Sequence, residues 1–157
     1  MRLTVLAILL AATPGIAPAQ EVSVERGLYV SIVGGCHDCH TDGYNESGGK
    51  IDPAKALKGV PVGWRGPWGT SYAKNLRLIA APLSEDEFVS YAKGLQTLPP
   101  MPWYNVQTMN ESDVRSLYQY IKSLGDAGEA MPAALPPGIE PTTPFIPIAP
   151  PTMPNAG

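Results

Sequence analysis

Apolar residues recur at helical spacing in three stretches of the chain, and between those stretches the pattern breaks down. Ser23 stands where an N-cap would, and Val24, Leu28, Tyr29, Ile32 and Val33 follow as a stripe. That spacing predicts a helix ending at Gly34-Gly35. A second helix is expected from Ser84, because Ser84 with Glu87 forms a capping box and Leu83 with Phe88 the matching staple. Tyr91 and Ala92 continue its apolar face to Gly94. The run Glu85-Asp86-Glu87 places negative charge at the positive end of the helix dipole. The third helix has the clearest pattern. Asn110 is its expected N-cap, Asp113 its acidic N3 partner, and Met109 with Val114 its staple. Val114, Leu117, Tyr118, Ile121 and Leu124 then form one face before Gly125.

Gly27 interrupts the first helix at a cost of about 1 kcal/mol relative to alanine, which close packing against another helix would justify. Residues 41–82 show little periodicity and carry turn signals at Asp42-Gly43, Ser47-Gly48-Gly49 and Asp52-Pro53. Within them, residues 59–70 are dense in glycine, proline and tryptophan, a composition that in a long loop lines or covers something. After Met131 the chain changes character. Nine of the last 27 residues are proline and Glu140 carries the only charge, so this segment is extended and builds no core of its own. Two readings stay open for it: it lies along the domain through Phe145, Ile146 and Ile148, or it moves freely.

The stretch Cys36-His37-Asp38-Cys39-His40 reads C-x-x-C-H, the attachment motif of a c-type haem. Each thiol can form a thioether to a haem vinyl group, and His40 is then carried beneath the iron. These are the only cysteines, and His37 and His40 the only histidines. A disulfide between neighbours so close would close almost no loop. Zinc needs four ligands, usually as two separated pairs. A thioredoxin-type C-x-x-C needs a βαβ context that does not follow here. Beside a haem, Trp64 and Trp68 could wall the porphyrin edge, with Arg65, Tyr72 and Asn75 as donors to the propionates; alternatively the tryptophans simply close a small core.

Composition sharpens this picture. A chain of 157 residues suffices for one domain, and 18 prolines with 16 glycines exclude a regular bundle. A small domain with long loops is short of buried area, which a flat apolar haem would supply. Met1-Arg2, the apolar run Leu3 to Ala12 and Ala17-Pro18-Ala19 read as an export leader, residues 1–19, cleaved before Gln20. The run is too short to span a bilayer, so an exported, periplasmic product without a transmembrane segment is expected. The formal charge of −3 becomes more negative on losing Arg2. That disfavours nucleic acid and favours redox partners that present a basic patch.

Iron held by one histidine needs a second ligand or keeps an open site. His37 lies inside the tether, cannot reach the opposite haem face, and is expected at the surface. Methionine is the soft ligand that raises a reduction potential. Met109 already serves as a helix staple. Met101, in Leu98-Pro99-Pro100-Met101-Pro102-Trp103, sits in a loop stiffened by prolines with no packing role of its own. Met101 is therefore the expected distal ligand and Met109 the reserve.

In this order, helix, C-x-x-C-H, long loop, Met-Pro loop and final amphipathic helix resemble class I cytochromes c, in particular monohaem bacterial periplasmic cytochromes and cytochrome domains of periplasmic dehydrogenase subunits. Arg26-Gly27-Leu28-Tyr29, Trp68-Gly69-Thr70 with Asn75, Met101-Pro102-Trp103 and residues 117–121 carry the resemblance, which covers about residues 22–125. It implies an all-α cytochrome c fold of three to five helices around one covalent haem c, spanning residues 20–130, with residues 131–157 as a proline-rich tail. It also implies that Gly27 meets Tyr120 where the first and last helices cross. The implied function is single-electron transfer, with Cys36 and Cys39 attaching the haem and His40 and Met101 on the iron. A haem-bearing subunit of a dehydrogenase complex is the alternative, and an open-site peroxidase-type enzyme the more distant one. Such subunits often carry several haem motifs, whereas this chain has one.

Overall fold

A helix crossing that only glycine permits sets the frame of the molecule. The computed structural model describes residues 21–153, so the expected leader and its cleavage point lie outside the described residues. Helix α1, Val24–Val33, is capped by Ser23, whose hydroxyl accepts from the Arg26 N–H. It crosses the last helix at Gly27. A Cβ there would collide with the Ser116 carbonyl oxygen and lie 2.6 Å from the Tyr120 Cβ. The Arg26 guanidinium donates to Asp113 at 2.9 Å across the same crossing.

This geometry overturns the face expected for α1. The helix buries Gly27, Val30 and Ser31, whereas Val24, Tyr29, Ile32 and Val33 are exposed. The notch, not the apolar stripe, decides which side meets the core, because backbone approach at Gly27 fixes the rotation of the helix.

The remaining elements in chain order are α2 (Cys36–His40), β1 (Val60–Gly66), β2 (Gly69–Ala73), α3 (Leu76–Ala80), α4 (Glu85–Lys93), α5 (Trp103–Thr108), α6 (Glu111–Ser123) and β3 (Phe145–Pro147). The fold is mostly helical, as expected, with six helices among the described residues. Two details depart from an all-α chain of three to five helices. Residues 60–73 form an antiparallel hairpin, and the tail adds β3 parallel to β1, giving the order β2-β1-β3. Two short helices, α3 and α5, also stand where no periodicity signalled them.

α4 has the expected capping box. α6 buries Val114, Leu117, Tyr120 and Ile121, yet Asn110 makes no side-chain cap bond, and Asp113 is spent on Arg26. Phe88 and Ala92 of α4 join α6 and Val30 in the core. Arg77 is buried in α3 and donates to the carbonyls of Pro53, Ala56, Leu124 and Asp126 at 2.5–3.0 Å. One guanidinium thereby ties the loop after α2 to the end of α6, its charge dispersed over otherwise unpaired carbonyls.

The proline-rich tail is docked along the hairpin. Thr70 and Leu135 exchange two backbone hydrogen bonds at 2.9 Å. Gly69 (φ +99°) has no room for a side chain, since a Cβ would fall on the Leu135 carbonyl. Gly63 N–H donates to Pro144 O, Ile148 N–H to Arg65 O, and the Tyr72 hydroxyl meets Thr143 Oγ1 at 2.7 Å. Proline removes donors from the tail but leaves its carbonyls, so Thr70 and Gly63 of the hairpin donate to it, and the non-proline residues Leu135 and Ile148 donate back.

Candidate functional site

α2 consists of the five motif residues themselves, so the tether is a single helical turn. Cys36, Cys39 and His40 line one cavity of about 320 Å³. Its other walls come from β1 and β2 through Trp64 and Tyr72, from α4 through Phe88 and Tyr91, from α6 through Leu117, and from the segment Leu95–Met101. Such an apolar cleft with few polar groups is the usual form of a cofactor site.

His40 is held in a defined state. Its Nδ1 lies 2.7 Å from the Lys74 carbonyl, which can only accept, so Nδ1 carries the proton and Nε2 keeps a free lone pair. Burial lowers the His40 pKa, with the Lys74 carbonyl opposing in part. A neutral imidazole with a fixed tautomer is what an iron ligand requires. Cys36 and Cys39 are not joined in a disulfide. Burial pushes the Cys36 thiol up to about 11 and raises Cys39 too. A thioredoxin-type pair needs a lowered thiol pKa, so the environment runs against that chemistry.

The methionines separate clearly. Met101 lines the cavity. Met109 packs against the core cluster, near Gly34. Met131 packs at Gly59, and Met153 is 89% exposed. Met101 is thus the only methionine of the cavity wall among the described residues.

His37 corrects the expectation that it sits at the surface: it is fully buried. Its Nε2 lies 3.0 Å from Ser31 Oγ, and its Nδ1 lies 2.7 Å from Thr41 Oγ1. Ser31 spends its own proton on Leu28 O, while Thr41 Oγ1 accepts from Leu57 N–H. Nε2 therefore donates and Nδ1 accepts, a neutral ring that joins α1, α2 and the following loop. Burial lowers its pKa from 6.5 to about 4, with Asp38 opposing and His40 assisting. The unfolded chain takes up this proton below its ordinary value, the folded chain only near 4. Stability is accordingly present above pH 6.5 and lost as pH falls towards 4, by up to about 3 kcal/mol. Denaturant midpoints across that window should show the decline, and His37→Gln should flatten it while lowering stability at pH 7. An unchanged slope in the variant would remove His37 as the cause.

Of the five residues expected around the haem, Trp64 and Tyr72 line the cavity. The other three lie elsewhere, each for a local reason. Arg65 pairs with Glu140 and sits over the Phe145 ring at 5.3 Å, engaged by the tail. Trp68, in the β1–β2 turn, folds back over Gly66. Asn75 caps α3 through Arg77 N–H and Leu78 N–H, and its amide donates to the Ala127 and Glu129 carbonyls. Ser71 and Lys74 had no sequence signal, because the first acts through its place in a strand and the second through a backbone carbonyl.

The attachment turn, the free Nε2 of His40 and the apolar cavity fit a haem tethered through two thioethers, and they define the class: a small c-type haem protein. Residues 24–125 match the cytochrome c family, to which the chain belongs. Its cofactor is haem c, covalently attached, and its function is haem-based electron transfer. A nicotinate dehydrogenase subunit of Pseudomonas putida is 26% identical over 133 residues, covering 76% of this chain and 10% of that protein. The chain thus spans about a tenth of that relative's length. No solved structure matches it. Among the described residues no helix is long and apolar enough to cross a membrane.

Proposed function

We propose that the chain is an exported, periplasmic single-electron carrier whose haem iron is held by His40 and Met101, with thioethers at Cys36 and Cys39. One observation carries this reading: a His40 with its Nε2 lone pair free and Met101 share one apolar cavity that no other described methionine lines. The haem, when bound, supplies the reversible one-electron chemistry. The chain's own part would be to keep the His40 and Met101 side chains in place in both oxidation states. Lys74 O fixes the imidazole, and Trp64, Phe88 and Leu117 give the cavity apolar walls. The leader-like residues 1–19 support export, and the acidic balance supports docking to a partner with a basic patch.

Carbon monoxide tests the ligand set. The reduced holoprotein is expected to bind it negligibly at neutral pH; rapid binding would sink the two-ligand carrier and favour an open-site enzyme. A second reading rests on the Pseudomonas putida relative: the protein serves as the haem subunit of a dehydrogenase complex. Purification from the native host decides it, because a dedicated subunit leaves the column with a dehydrogenase and a free shuttle leaves alone.

A further inference from the structure

Residues 95–102 contain three prolines, at 99, 100 and 102, which have no N–H to give. The loop that carries Met101 therefore has few means of fixing itself. Its hydrogen bonds to neighbouring elements are local: Leu95 O accepts from the Gln107 side chain at 2.8 Å, and Met101 O from Trp103 N–H at 2.9 Å. Among the described residues, one hydrogen bond reaches this loop from outside the α4–α5 unit. The Ser71 hydroxyl of β2 donates to the Pro99 carbonyl, two residues before Met101. Ser71 is 8% exposed, lines the same cavity and stands opposite Trp64 in the hairpin register. Three residues further on, Lys74 O holds His40. The short segment Ser71–Lys74 thus grips the His40 ring at one end and the Met101 loop at the other.

We propose that Ser71 is a positioning residue for the distal ligand, setting the strength of Met101 coordination through the Pro99 carbonyl; this rests on Met101 being that ligand. A donor that anchors the loop lowers the freedom lost when the thioether is held in place. Without it the loop departs more readily, and an external ligand competes better. The hydroxyl's partner is a carbonyl of the Met101 loop itself, so the change acts on the loop and not on the haem attachment.

The experiment is titration of the oxidised holoprotein with imidazole, alongside the far-red Met–iron band, in wild type, Ser71→Ala, Ser71→Thr and Met101→Ala. Loss of one hydrogen bond predicts that Ser71→Ala binds imidazole about fivefold more tightly. The band persists but weakens with pH or heat earlier than in wild type, and Ser71→Thr, which keeps the hydroxyl, restores the wild-type affinity. A general loss of fold would lower the unfolding midpoint without this selective gain. If Met101→Ala leaves the band intact, the ligand assignment itself fails. If that variant loses the band while Ser71→Ala matches wild type in imidazole affinity, the ligand assignment stands and Ser71 is not its anchor.

Discussion

Met101→Ala is expected to abolish the Met–iron charge-transfer band while leaving the covalent haem in place. The thioether is a soft ligand that favours the reduced state, so its removal also lowers the reduction potential. The drop should be on the order of 0.1 V or more, within the roughly 0.8 V that axial ligation spans. Stability should change little by comparison, because Met101 is half-buried in a loop and outside the core cluster. Met101→Leu separates the two contributions, since it keeps apolar bulk in the cavity wall without the sulfur. Optical spectra and redox titration of both variants check the result. A band that survives in both would move the ligand to Met109, against its present packing beside Gly34.

Gly27→Ala is expected to be among the most damaging single changes in the chain. One added carbon would meet the Ser116 carbonyl and the Tyr120 Cβ, which belong to the body of α6 and cannot swing away. The helices must part, and Arg26 then loses its 2.9 Å bond to Asp113. Overpacking commonly costs about 1–3 kcal/mol; with backbone as the obstacle, about 3 kcal/mol or more is expected. That corresponds to a fall in Tm on the order of 10 °C. Thermal unfolding of the holoprotein measures it, and a Tm within a degree or two of wild type would show that the crossing has room to spare.

The two cases differ in how far the chain announces them. A costly glycine inside a helical pattern points to a close approach, and the crossing supplies it. The apolar stripe of α1 pointed to the opposite face, because periodicity reports which positions are apolar and not which of them a neighbour covers. His37 was invisible for a related reason. Nothing about a histidine in a tether says that Ser31 and Thr41 will close over it, since both reach it only once α1, α2 and the loop have packed. The hairpin escaped notice because Gly63 and Gly66 break the alternation a strand normally shows, and its edge is completed by Phe145–Pro147 from the far end of the chain. Asn75 and Arg65 looked like donors for a ligand and are consumed by protein carbonyls and by Glu140.

By itself, the sequence determined the chemistry that depends on neighbours along the chain: two thiols and a histidine on one turn, the capping box of α4 and the apolar face of α6. Local spacing suffices there, because one helical turn or one ladder of i, i+3 and i+4 positions brings those groups together. What only the tertiary structure decided is everything requiring partners remote in sequence: the tautomer of His40 set by Lys74, the burial of His37, the strand supplied by the tail, and the meeting of Met101 with His40 in one cavity. Those depend on packing, where a single carbonyl or a missing Cβ outweighs the pattern of side chains around it.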